Sequence, residues 1–131
     1  MKRIIFILVC AVVFLMSNTI NADEICRIKG TNDTVEVFSK NYDSGLNTLT
    51  ITFSNDGQSA ANLTVSVKVT YKLENSTIRI SKTYSDKHFA NANGSSVLKM
   101  RIPNSINENN RTYTLEDFEI VSLEGNKCGT N

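Results

Sequence analysis

The 131-residue sequence contains no tryptophan, one proline, one histidine and three cysteines, and its charges nearly cancel, with 14 Lys and Arg against 13 Asp and Glu. Each scarcity removes a class of function. Without tryptophan, a flat aromatic platform for stacking sugars is not expected. With His88 as the sole imidazole, a Ser-His-Asp or Cys-His catalytic system would have to be assembled around that one residue. Zinc takes about three or four His, Cys or carboxylate ligands, and a lone histidine falls short. The near-zero charge balance lacks the basic footprint of a nucleic-acid binder, so no nucleic-acid partner is expected. There is neither a P-loop nor a glycine-rich dinucleotide fingerprint, and no cofactor is expected. Asn41-Tyr42-Asp43-Ser44-Gly45 and Asn55-Asp56-Gly57 read as turn chemistry and not as calcium loops.

The apolar residues that are present are unevenly spread. Lys2 and Arg3 precede a continuous apolar run from Ile4 to Met16, and Ser17 to Ala22 leads into Asp23 and Glu24. This is the layout of a secretory signal peptide, residues 1–22, with cleavage expected after Ala22. A membrane span needs roughly 20 apolar residues, which the run does not reach, so no span is expected once the signal is removed. No small-residue lipobox precedes Cys10 or Cys26, which argues against a lipid anchor. The destination implied is secreted or otherwise extracytoplasmic, with residues 23–131 forming one domain. Two cysteines remain in it, Cys26 and Cys128, and an even pair in an exported domain reads as a disulfide.

Period-2 patterning dominates that domain. From Leu63 to Lys72 every odd position is apolar and every even one polar, as a strand with one buried face requires. Leu49, Ile51 and Phe53 alternate with Thr48, Thr50 and Thr52 in the same way. Shorter alternations occur at Ile25–Ile28, Val35–Val37, Ile78–Ser81 and Leu98–Ile102, the last terminated by Pro103. From Tyr113 to Leu123 the apolar phase changes, which a β-bulge would reconcile. No stretch shows helical i, i+3, i+4 spacing. The pattern predicts an all-β fold, an antiparallel immunoglobulin-like β-sandwich of about seven strands. The polar segment Asn104 to Asn110 reads as a mobile loop, and the abundance of Asn carries no mechanism of its own.

The run Leu49 to Val67, two alternating strands around Asn55-Asp56-Gly57, resembles the strand–turn–strand of CARDB-type and related immunoglobulin-like extracellular adhesion domains. Ala92 to Leu98 is similar to their Gly-Ser entry into a later strand. The resemblance implies an extracellular immunoglobulin-like sandwich used for adhesion or display. It departs from antibody domains, because the Cys…Trp…Cys arrangement is absent and both cysteines are terminal.

Among candidate functional groups, Glu116, Asp117 and Glu119 read as a solvated acidic edge, with Asp117 and Glu119 on one face and Glu116 on the other. No catalytic residue and no metal ligand is assigned. Two loops are the candidate binding elements, Ser39–Gly45 with Tyr42 and Asp43, and Tyr84–Asn91 with Tyr84, Lys87, His88 and Phe89. Both combine an aromatic ring with Ser, Asn and short polar groups, a composition suited to protein recognition. Asn-x-Ser/Thr sequons at Asn32, Asn62, Asn75, Asn93 and Asn110 are candidate N-glycosylation sites in or beside loops. The function expected is a secreted, non-catalytic module binding a macromolecule, a protein or cell-surface component, through its loops. The alternative is a small exported inhibitor or immunity-type protein that blocks a secreted enzyme.

Overall fold

The computed structural model describes residues 24–31, 33–125 and 128. The expected signal segment 1–22 and the sequon at Asn32 lie outside the described residues. The chain forms β1 (Ile25–Arg27), β2 (Thr34–Asp43), β3 (Thr48–Asn55), β4 (Ala61–Leu73), β5 (Arg79–Ala90), β6 (Gly94–Arg101), β7 (Ser105–Glu108) and β8 (Arg111–Glu124). These make two antiparallel four-stranded sheets, in the orders β1-β2-β3-β6 and β5-β4-β8-β7. One hydrophobic core draws on both, so the fold is an all-β sandwich.

Alternation decides which faces meet. Leu49, Ile51 and Phe53 of β3 and Leu63, Val65, Val67, Val69 and Tyr71 of β4 are buried, while the Thr and Ser residues between them face out. Asn55-Asp56-Gly57 does not close a hairpin, because β3 and β4 lie in opposite sheets. The connection is held instead by Asn55, the only buried polar residue among those described. Its Oδ1 accepts from Gly57 N (3.0 Å), and its Nδ2 donates to the carbonyls of Ser59 (2.9 Å) and Ala90 (3.4 Å). An amide with donors and acceptor engaged is tolerated in a core where an unpaired one would not be.

Strand β8 carries two register shifts against β4, at Glu116 and at Val121, where one had been expected. Stepping over an extra residue each time keeps Tyr113, Leu115, Phe118, Ile120 and Leu123 on the inner side. The same shifts correct the reading of the acidic trio. Asp117 lies opposite Thr70 and Glu119 opposite Lys68, on the outer face. Glu116 joins them there, in a bidentate pair with Arg79 of β5 at 2.6 and 3.0 Å. That guanidinium holds the Glu116 carboxyl below the usual carboxylate range.

Three other expectations are corrected. Asn104–Asn110 is no loop throughout: Ser105–Glu108 forms β7, paired with Arg111–Thr114 of β8, which gives eight strands. Second, asparagine has a conformational role here. Asn47, Asn75, Asn93, Asn109 and Asn110 all have positive φ, at 53°, 58°, 52°, 53° and 62°. Asparagine tolerates this region better than other residues with a Cβ, and Asn109-Asn110 supplies the two positive φ values of a two-residue hairpin turn. Third, the segments around Tyr42 and around Tyr84 to Phe89 are strands, the ends of β2 and β5. Both lie at sheet margins, so polar residues occupy both faces. Lys82 and Asp86 of edge strand β5 share the inner-face register of Val69 and Val65, an arrangement that hinders further strand pairing.

Cys26 of β1 and Cys128 form the expected disulfide, 102 positions apart with Cα atoms 5.1 Å from each other. Ile28 also bridges to Cys128 through the backbone. The two ends of the domain are thus joined at the end of the sandwich that carries the β3–β4 and β5–β6 connections.

Candidate binding surfaces

At the opposite end, the β2–β3 turn of residues 44–47 is fastened from both sides. Asp43 Oδ1 accepts from the backbone N–H groups of Gly45 (2.9 Å) and Leu46 (3.2 Å). Thr48 Oγ1 donates to the Leu46 carbonyl (2.9 Å). The Ile102–Asn104 connection braces the other side. Ile102 N donates to Asn47 O (2.9 Å), Asn104 N to Asn47 Oδ1 (2.9 Å), and Asn104 Nδ2 to Ser44 O (2.7 Å).

That connection is itself anchored in the core. Tyr42 donates its hydroxyl to Ile102 O (2.7 Å), and the Tyr71 hydroxyl lies 2.8 Å from Pro103 O. A carbonyl can only accept, so Tyr71 spends its proton on Pro103 and accepts from Tyr84, 3.0 Å away. Burial is the main cause that raises the pKa of both Tyr42 and Tyr71, which keeps each phenol protonated as a donor. The tyrosines expected as exposed recognition rings are therefore turned inward. Tyr42 packs against Phe118 with centroids 6.1 Å apart, and Tyr84 is half-buried. What the braced turn presents is Leu46, 67% exposed, and the neighbouring β4–β5 turn presents Ile78, 47% exposed.

Lys87, His88 and Phe89 lie at the disulfide end and split across β5. Lys87 and Phe89 face outward, opposite Thr64 and Asn62 of β4. His88 faces inward, half-buried. Its ring stacks on Phe53 (centroids 4.6 Å, 24° between planes), and its Nε2 lies 2.7 Å from Ser96 Oγ. It is not the exposed loop histidine expected. Burial lowers its pKa, opposed in part by the Asp86 charge.

The sign of the resulting pH dependence follows from which state binds the proton first. Unfolded His88 titrates near 6.5, above its folded value. Stability is full above 6.5 and falls as pH drops through that value toward the lower folded one. Urea midpoints recorded between about pH 7.5 and 5 should fall accordingly. His88→Gln, which keeps a polar partner for Ser96, should flatten that part of the curve; an unchanged slope would refute the assignment.

On the outer face, Asn62, Thr64, Lys87, Phe89 and Gly125 border an open depression of about 610 Å³. Phe89 is 53% exposed there. Gly125 closes the rim by passing so near the Asn62 carbonyl that a Cβ would collide with it. Thr64 and Gly125 escaped the sequence reading, since only the strand pairing brings them beside Phe89.

The six residues expected to bind thus do not form one surface. Asp43 builds the Leu46 turn, Tyr42 and Tyr84 support it from within, and Lys87 and Phe89 border the depression at the far end, with His88 beneath. Among the described residues, no three His, Cys, Asp or Glu side chains converge as metal ligands. Comparison with protein-family models, with curated proteins and with solved structures finds no match.

Proposed function

We propose that the protein is an exported, non-catalytic β-sandwich of the immunoglobulin-like type that binds a macromolecule, a protein or cell-surface component, through the turn-bearing end opposite its disulfide. The observation that carries this reading is the Leu46 turn. A large apolar side chain stands 67% exposed on a turn whose backbone is held by side chains and by the 102–104 connection. A turn ordered before contact loses little conformational entropy on binding, so an apolar anchor on it contributes more to affinity. The disulfide and the signal-like sequence of residues 1–22 support export.

Affinity capture from the secreted fraction of the source cells tests it, with the wild-type protein and Leu46→Asp as parallel baits. A partner retained by wild type should be lost from Leu46→Asp, whose unfolding free energy stays within about 0.5 kcal/mol of wild type because the side chain is mostly exposed. Equal capture by both baits would overturn the reading.

A further inference from the structure

A second surface has a chemistry that the binding reading does not use. Of the sequon asparagines the structure describes, Asn75, Asn93 and Asn110 sit in turns with positive φ. Asn62 alone lies on a strand, and its cross-strand partner is Phe89. Directly opposed residues on one face of an antiparallel pair have Cβ atoms about 4.5–5.5 Å apart. Asn62 is exposed and Phe89 is 53% exposed. Thr64, which completes the sequon, points to the same outer face beside Lys87. The Asn62 side chain makes no hydrogen bond among the described residues, so its amide nitrogen is not committed to the fold.

The geometry points to Asn62 as an N-glycosylation site whose first N-acetylglucosamine lies on the Phe89 ring and occupies the depression beside it. Attachment takes place during export. The Asn62 Nδ2 attacks C1 of an N-acetylglucosamine carried on a lipid pyrophosphate, a C1–N bond forms, and the C1–O bond to the pyrophosphate breaks. The lipid pyrophosphate leaves, and the amide nitrogen loses one proton to a base of the transferase.

Once the domain has folded, the strand pairing sets the sugar beside the ring. The C–H face of a pyranose carries slight positive charge and the face of an aromatic ring slight negative charge, so the two attract while excluding water. The depression of about 610 Å³ falls within the range of about 300–1,000 Å³ typical of small-ligand sites. Thr64 and Lys87 offer hydroxyl and ammonium partners for the sugar's polar edge. Phe89 then has a role that its exposure on an otherwise polar sheet face would not supply. The far end with Leu46 stays free, so this inference rests on the export in the proposed function and not on its binding surface.

The test expresses the full chain in a eukaryotic secretory host and maps occupancy by mass spectrometry after enzymatic deglycosylation in oxygen-18 water. Asn62 should be occupied. Glycans are then trimmed to the first N-acetylglucosamine and thermal unfolding is compared with that of Asn62→Gln. The trimmed wild type should melt about 4–8 °C higher, the shift expected for a contact of ordinary strength in a domain this size. Phe89→Ala should keep Asn62 occupied and abolish the difference. Nuclear Overhauser contacts between the sugar and the Phe89 ring in the wild type supply a readout that needs no variant. An unoccupied Asn62, a melting difference that survives Phe89→Ala, or an absence of sugar–ring contacts would each overturn the inference.

Discussion

Replacing both Cys26 and Cys128 by alanine is expected to cost about 4–5 kcal/mol of folding stability. The bridge closes a loop of 102 positions, and a cross-link over so long a loop removes much of the unfolded chain's freedom. Domains of this kind have only about 5–15 kcal/mol in total, so the variant should lie near the edge of folding. Cys26 is buried in the core, so alanine there also loses the packing of the sulfur, whereas the backbone bond from Cys128 N to Gly125 O (3.0 Å) and the bridge to Ile28 are kept. Urea unfolding of the oxidised and double-alanine chains measures it. A loss below about 1 kcal/mol would mean that backbone pairing alone holds the two ends.

The second large effect is expected at Phe53, which is fully buried in the middle of β3. Phe53→Ala should cost about 3–5 kcal/mol, combining lost burial with the cavity left behind. This ring also supports His88, stacked 4.6 Å away. Removing it should admit water beneath the imidazole and return the His88 pKa toward its ordinary value. The two consequences separate by method. Urea unfolding reports the cavity, and an NMR titration of His88 reports the lost burial. A full stability loss with an unmoved histidine titration would show that Ser96 and the β5 backbone, without Phe53, set the environment of His88.

Both sites show where the sequence was readable. Phe53 belongs to β3, whose Thr-Leu-Thr-Ile-Thr-Phe alternation announces a strand buried on one face, and β4 reads as clearly from Leu63 to Tyr71. The edge strands announced themselves unevenly. β6 shows its alternation from Leu98, but in β5 only the Ile78–Ser81 stretch does, because beyond Ile80 the inner-face register holds Lys82, Tyr84, Asp86 and His88. The second half of β2 follows a register shift between Val37 and Ser39, after which Lys40 occupies an inner-face position. An edge strand has a partner on one side only and its inner face is partly open to water, so selection for apolar residues is relaxed there. Four-residue β7 is too short to display a period at all.

The candidate surfaces followed the same division. Asp43 was legible as a turn residue because an Asx side chain bonding to backbone two and three residues on is a local event. The braces on that turn, from Asn104, Ile102 and the two tyrosines, join residues far apart in sequence and leave no local trace. The pairing of Asn62 with Phe89 is equally non-local.

What the sequence determined by itself is therefore the class of the protein: an all-β chain, from a period of two in side-chain burial, and a disulfide, from an even cysteine pair behind an export-like leader. Those features depend on neighbours along the chain or on simple counting. Tertiary structure decided which strands share a sheet, that the tyrosines turn inward, and that Leu46 and Phe89 remain outside at opposite ends. These depend on register and on crossovers between sheets, where a shift of one residue exchanges the inner face for the outer.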